Sequence, residues 1–102
     1  MTDRIAALER MLLTRPDDGR LRFGLALEYE KAGRLDDAVL ALEQYLQDSE
    51  DQGNAWGRLG ALRARLGRPA DARAAYERGI AQAEKHGHPS MAADLRVALE
   101  EL

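Results

Sequence analysis

Two histidines, His86 and His88, flank Gly87 and lie close to Glu84, and imidazole and carboxylate groups are common metal ligands. A stable site needs a third fixed ligand, which the neighbouring sequence does not supply. These residues also fall at the end of a predicted helix, where a solvated helix terminus is the simpler interpretation. The chain has no cysteine, so disulfides, thiolate chemistry and cysteine-ligated zinc are excluded. We therefore predict no metal and no cofactor.

Catalytic chemistry has equally little support. The hydroxyl side chains lie near the termini or in predicted turns, without an evident base beside any of them: Thr2, Thr14, Ser49 and Ser90. The carboxylates are scattered over helix starts and polar faces, without a sheltered acid–base pair. The glycines do not have the spacing of a phosphate-binding loop. The sequence predicts that the protein is not an enzyme.

Arginine is the chemically informative residue type in this chain. The span Gly53–Arg68 contains four arginines and no acid, whereas the first half of the chain is acidic. Only one aromatic residue, Trp56, accompanies this basic span, so we predict no nucleic-acid partner. The formal net charge is only -3. The sequence also lacks the long apolar run that a leader or a membrane span requires. A cytoplasmic protein without a membrane partner is the expectation.

Helices must position these groups, because the chain is rich in Ala, Leu, Arg and Glu, which lose little rotamer freedom in a helix. Apolar residues at helical spacing, together with glycine, proline and aspartate at the boundaries, predict six helices. These run from a cap at Asp3 to before Pro16, from about Arg20 to Lys31, from Asp36 to about Gln47, from about Ala55 to Leu66, from Pro69 to about His86, and from Pro89 through Leu102.

The sequence repeats itself after 34 residues, without a gap. The matched pairs are Leu25 with Leu59, Gly33 with Gly67, Ala38 with Ala72, and Leu46 with Ile80. This period is typical of a helix–turn–helix unit that cannot bury its apolar face alone and stacks on copies of itself. The glycines that end the first helix of each pair suit the left-handed backbone conformation.

These residues resemble the tetratricopeptide repeat family, whose pattern combines a Trp, a Leu-Gly pair, a Tyr, a later Ala and an aromatic. The second repeat has Trp56, Leu59, Gly60, Gly67, Ala72 and Tyr76 at the family spacings, and the first has Leu25, Ala26, Tyr29, Gly33, Ala38 and Leu42. The resemblance implies a right-handed, all-α solenoid in one domain over residues 1–102. Its parts are a half-repeat helix over 1–18, repeats over 19–52 and 53–86, and a capping helix over 87–102.

The chain departs from the family pattern at several positions. Arg63 replaces a tyrosine, so its stem must cover the core while its guanidinium reaches water. Tyr45 stands where the family has a small residue. Gly60 is expected where the paired helix approaches closely, whereas Gly57 costs about 1 kcal/mol in a helix and has no evident structural reason.

In this family the first helices of successive repeats line a concave groove that holds a peptide or a partner helix. Carried over by position, the groove residues are Arg20, Phe23, Leu27, Lys31, Asn54, Arg58 and Arg65. Phe23 and Leu27 share a helix face and form either an apolar anchor in the groove or core beneath the first helix. Arg58 and Arg65 also share a face, and are either carboxylate-binding groups or part of a solvated surface.

The function implied is a protein-interaction adaptor whose partner is an acidic segment with one or two large apolar residues. The alternative is a self-associating structural module without an external ligand, and the oligomeric state is left open. Two packing expectations follow as well. Ala38 and Ala72 should lie where paired helices cross, whereas Ala83, near a helix end, should tolerate a larger side chain. Four apolar residues of the last helix should share a buried face: Met91, Leu95, Leu99 and Leu102.

Overall fold

The computed structural model describes residues 2–102, with side chains from residue 4 onward, so the predicted cap Asp3 lies outside the described side chains. Within these residues the fold is all-α, without a strand. Its helices are α1 Thr2–Thr14, α2 Gly19–Lys31, α3 Leu35–Asp48, α4 Asn54–Arg65, α5 Pro69–Lys85 and α6 Pro89–Glu100. The helix boundaries predicted from caps and periodicity agree closely with these.

Glycine ends three of the helices, as predicted. Gly33, Gly67 and Gly87 have φ angles of 76°, 73° and 75°, in the left-handed region that side chains disfavour. After Gly33, the backbone N–H of Arg34 donates back to the carbonyl of Tyr29 at 2.9 Å. This bond, repeated after the other two glycines, satisfies a helix-end carbonyl that has no partner inside the helix.

Two aspartates cap the starts of α2 and α4. Asp18 accepts hydrogen bonds from the backbone N–H groups of Arg20 and Leu21. Asp51 is buried, and its Oδ2 accepts from Gly53 and Ala55 at 2.9 Å each. The sequence indicated only a turn at residues 48–54, so the cap at Asp51 was missed.

The chain forms two compact units, residues 1–49 and residues 50–102. In the first unit, α2 packs against both α1 and α3. Apolar side chains from all three helices form its core: Ile5, Leu25, Ala26, Tyr29, Ala38, Val39, Ala41 and Leu42. Arg22 and Asp48 join α2 to α3 through an ion pair of 3.1 Å.

In the second unit, α5 packs against both α4 and α6. Leu59 and Leu62 of α4 are each 1% exposed. A Cβ at Gly60 would lie 2.7 Å from the ring of Tyr76, which confirms that this glycine permits the paired helix to approach. Arg63 donates from Nη1 to the carbonyl of Asp71, so its stem lies across the hairpin while its charge stays near the surface.

The packing expectations have different outcomes. Ala38 and Ala72 are fully buried, as predicted. Ala83 is also fully buried, so the expectation that it tolerates a larger side chain was wrong. The predicted face of α6 is only partly buried: Met91, Leu95 and Leu99 are half-buried, and Leu102 lies beyond the end of the helix and is exposed. The buried residue of α6 is Ala92.

Candidate functional site

The predicted groove residues of α2 occupy one face of that helix. Arg20, Phe23, Leu27 and Lys31 follow one another at spacings of three or four residues, which places them on one side of a helix. Arg20 and Lys31 are exposed at the two ends of this face, and Phe23 and Leu27 are half-buried between them. The ammonium of Lys31 lies 3.5 Å from the carboxylate of Glu28. The α2 face therefore presents a partly covered apolar centre between two cations.

Phe23 packs against an aromatic residue of the paired helix. Its ring centroid lies 5.2 Å from that of Tyr45, with the planes tilted by 52°. Tyr45 also lies beside Gly19, where a Cβ would come within 3.5 Å of its ring. The unexpected Tyr45 thus packs against Phe23, which remains half-buried.

The predicted groove residues of α4 differ in how far they are available to a ligand. Asn54 is exposed at the first position of the helix. Arg65 is exposed in the last turn, and the described side chains place no carboxylate within ion-pair distance of it. Arg58 is half-buried, and interactions with the protein engage it. Asn54 and Arg65 are therefore exposed on the α4 face, whereas Arg58 is partly covered and engaged within the protein.

Gly57, next to Arg58, has a structural reason that the sequence did not reveal. A Cβ at this position would lie 2.7 Å from a methyl group of Leu95 in α6. Gly79 of α5 is similar, with the same leucine 2.9 Å from its Cβ position. The side chain of Leu95 thus lies between two helices that both have glycine where it contacts them.

The same repeat positions are filled differently in the two units. Phe23 and Tyr45 correspond, 34 residues later, to Gly57 and Gly79. The first unit fills this space with two aromatic rings, and the second leaves it open for Leu95. The apolar anchor of the proposed groove is therefore confined to the α2 face.

The histidines take part in a polar network at the end of α5. His86 and Lys85 both lie 3.3 Å from the same carboxylate oxygen of Glu50, and the hydrogen bond from Lys85 is the main cause that lowers the pKa of Glu50. His88 shares a 2.6 Å hydrogen bond with Gln52. In the part of the chain that the structure describes, no three His, Asp or Glu side chains are arranged to hold a metal ion.

A cleft in the first unit was not anticipated from the sequence. It has a volume of about 230 Å³, and we call it the first-unit cleft. All three helices of the unit line it: Glu9, Leu12 and Leu13 from α1, Arg22, Leu25 and Tyr29 from α2, and Asp37, Leu40, Ala41 and Gln44 from α3. The apolar residues give it a hydrophobic interior, and the charged residues lie among them. Its signal in the sequence is the set of leucines beyond those that the repeat pattern requires.

Tyr29 connects two sides of the first-unit cleft. Its hydroxyl donates to Glu9 at 2.5 Å, and the guanidinium of Arg34 lies 4.7 Å from its ring centroid. Arg34 in turn pairs with Asp37 at 2.8 Å. The pKa of Tyr29 is raised to about 12, mainly by burial and in addition by the hydrogen bond to Glu9.

An alkaline titration should detect this network. Because the folded state raises the pKa of Tyr29 above its unfolded value near 10, its contribution to stability is complete below about pH 10 and is lost as the pH rises to about 12. Phenolate absorbance should show a tyrosine that ionises near pH 12, and Tyr29→Phe should remove this step. Glu9→Gln should move the step to lower pH. A highest step that Tyr29→Phe leaves in place would contradict the assignment.

The geometry defines a protein built from helix–turn–helix repeats, and comparison with known proteins identifies the family. The family model described as "Tetratricopeptide repeat" matches residues 5–55 and 23–87. These matches cover most of the chain, which therefore belongs to the tetratricopeptide repeat family. The predicted resemblance and the all-α, helical-repeat fold class are both confirmed.

Solved structures agree with this assignment. A tetratricopeptide repeat domain protein from Salinibacter ruber has a TM-score of 0.76 at 29% identity, over 84% of this chain and 87% of that one. A protein from Bordetella parapertussis has a TM-score of 0.79 at 32% identity, over 95% and 84%. MamA has a TM-score of 0.70 at 23% identity, over 96% and 61%, a likeness that shows the fold alone. No curated protein matches the chain significantly.

The tetratricopeptide fold is generally an interaction module for other proteins and a non-catalytic scaffold. Its stacked repeats offer an extended binding surface rather than an enclosed active site. None of the described helices has both the length and the hydropathy needed to cross a membrane.

Proposed function

We propose that the protein is an adaptor that binds an acidic peptide or partner helix through the groove faces of its first repeat helices. The α2 face is Arg20, Phe23, Leu27 and Lys31, and the α4 face is Asn54, Arg58 and Arg65. The observation that carries the proposal is the exposure of Arg20 and Arg65 on the faces that the family uses for binding. The described side chains give neither arginine an ion-pair partner. An exposed guanidinium without an ion-pair partner favours binding of a carboxylate from a partner protein.

The half-buried apolar residues supply the second half of the recognition. Phe23 is supported from behind by Tyr45, so its ring is held in position and loses little freedom on binding. A large apolar side chain of the ligand would cover Phe23 and Leu27, and acidic residues on either side would reach the cations. Rim charges of this kind mainly set the association rate and its salt dependence, whereas the apolar anchor sets the dissociation rate.

Charge reversal on the groove faces should weaken binding of an acidic ligand. A random peptide library selected on the full chain should yield acidic peptides with a large apolar residue. Arg20→Glu/Arg65→Glu should reduce their affinity by about tenfold or more, chiefly through slower association at low salt. Phe23→Ala should accelerate dissociation instead. Fluorescence anisotropy and stopped-flow kinetics on the enriched peptides measure both effects.

The matched control is Arg15→Glu/Arg73→Glu, which changes the net charge equally at exposed arginines outside both faces. Arg78 does not suit this purpose, because its guanidinium lies 4.7 Å from the ring centroid of Trp56 and reversal would disturb packing. If the control pair abolished binding and the groove pair did not, the proposed faces would be wrong.

The rival function is self-association without an external ligand. Sedimentation velocity at several concentrations separates the two, since an adaptor should remain monomeric at low micromolar concentration. A stable oligomer whose contacts cover Phe23 and Leu27 would favour the rival.

A further inference from the structure

The first-unit cleft is built from one stripe of each helix in its unit. Glu9 and Leu13 are four residues apart on α1, Arg22 and Leu25 are three apart on α2, and Leu40 lies three residues after Asp37 on α3. Residues at these spacings share a helix face, so three faces converge on one depression. None of these residues belongs to the predicted groove faces.

Two of the leucines at the cleft are more exposed than a repeat core requires. Leu13 is 82% exposed and Leu40 is 53% exposed, although both could have been polar without cost to the core. A cavity of about 150 Å³ lined by apolar side chains can hold benzene. The first-unit cleft, at about 230 Å³, therefore has room for one large aliphatic or aromatic side chain.

The charges around the cleft are unevenly satisfied. The cations are committed, because Arg22 pairs with Asp48 and Arg34 pairs with Asp37. Glu9 is different, since its described hydrogen bond comes from the neutral hydroxyl of Tyr29. Arg34 interacts with Glu9 electrostatically but forms its ion pair with Asp37. An exposed carboxylate at the edge of an apolar depression leaves a place for a positive charge from outside the chain.

The net charge of the first unit also favours a cationic ligand. Residues 1–49 contain ten carboxylate side chains and seven Arg or Lys side chains, for a formal charge of -3. Residues 50–102 contain eight of each and are neutral. The unit that carries the cleft therefore attracts cationic segments, opposite to the ligand proposed for the groove faces.

We infer that the first-unit cleft is a second docking surface, which binds a basic amphipathic segment of a protein partner. An aliphatic side chain of that segment enters between Leu13 and Leu40, and an Arg or Lys one helical turn away pairs with Glu9. The segment is bound as a helix in a groove, with anchors at helical spacing. This surface is separate from the groove faces, so either proposal can fail without the other.

The test uses a display library of random peptides, selected on the full chain and sorted by loss of binding to Leu40→Asn. Peptides that depend on Leu40 should share an aliphatic residue with Arg or Lys three or four positions away. Their dissociation constants, measured by anisotropy, should rise about tenfold with Leu40→Asn. Glu9→Gln should raise them about threefold and flatten their salt dependence. The glutamine still accepts the bond from Tyr29, so this variant removes only the charge.

Two matched controls are available on α6. Val97→Asn changes an apolar residue of similar exposure, 56%, that lies outside the cleft, and Glu100→Gln removes an exposed carboxylate. Both should leave the dissociation constants unchanged. Arg20→Glu/Arg65→Glu should also leave these peptides bound while it releases the acidic ones.

Several results would overturn the inference. These are the recovery of no Leu40-dependent peptide, an acidic consensus among such peptides, or equal losses with Val97→Asn. Sedimentation velocity of the wild type and of Leu40→Asn could give one more contradicting result. A wild-type dimer that Leu40→Asn dissociates would show that a second copy of the chain occupies the cleft.

Discussion

Ala72→Leu is expected to destabilise the protein by about 1–3 kcal/mol, because there is no space for a larger side chain. Ala72 is fully buried and lies one turn before Tyr76 on the same face of α5. That face meets α4 where Gly60 already permits a contact too close for a Cβ. A leucine must separate the helices or leave its preferred rotamer. For a chain of this length, each kcal/mol lowers the melting temperature by about 4–8 °C.

The control for this prediction is Ala74→Leu on the same helix. Ala74 is exposed, so the larger side chain extends into solvent and leucine is a good helix former. Its melting temperature should stay close to that of the wild type, by differential scanning calorimetry. Equal stability of the two variants would show that the helices do not cross at Ala72 and that the 34-residue alignment is misplaced.

The parts of the fold that depend on local chemistry could be predicted from the sequence. Gly33, Gly67 and Gly87 end helices because of backbone conformation alone, so their positions and φ angles follow from residue type. Ala38 and Ala72 could be assigned because the 34-residue repeat places both at the same position of a known hairpin. Local and periodic signals are sufficient for such features.

Contacts between distant residues could not be read from the sequence. Gly57 lacked an explanation because its reason is Leu95, 38 residues away. Ala83 was expected to be tolerant because it is near a helix end, but it packs against Gly53 at the start of α4 and is fully buried. Asp51 looked like part of a polar turn, although it caps α4 from a buried position.

The candidate site shows the same division. Residues of the groove faces could be placed on helix faces by spacing, but their availability could not. Arg58 and Arg65 are alike in sequence, yet Arg58 is engaged within the protein and Arg65 is exposed. The first-unit cleft had no signature in the repeat pattern, since it depends on how α1 and α3 both pack on α2.

Removal of α6 should have the largest effect on stability. Met91 and Leu95 lie against Gly53, Gly57 and Gly79, so a chain truncated after Gly87 exposes the apolar surface that they cover. Burying one such side chain fully contributes about 1.5–3 kcal/mol, and the whole fold of a domain is typically stable by only about 5–15 kcal/mol. The truncated chain should lose its cooperative melting transition by circular dichroism, or melt well below the full-length protein.

A point variant keeps this prediction testable if the truncated chain aggregates. Leu95→Ala leaves α6 in place but empties the space between Gly57 and Gly79. The two glycines have no side chains that could fill this space. Leucine-to-alanine changes of this kind cost about 2–5 kcal/mol, and the low end applies because Leu95 is half-buried. Val97→Ala on the exposed side of α6 should have little effect. If Leu95→Ala and Val97→Ala melted at the same temperature as the wild type, α6 would not be stabilising the second unit through this contact.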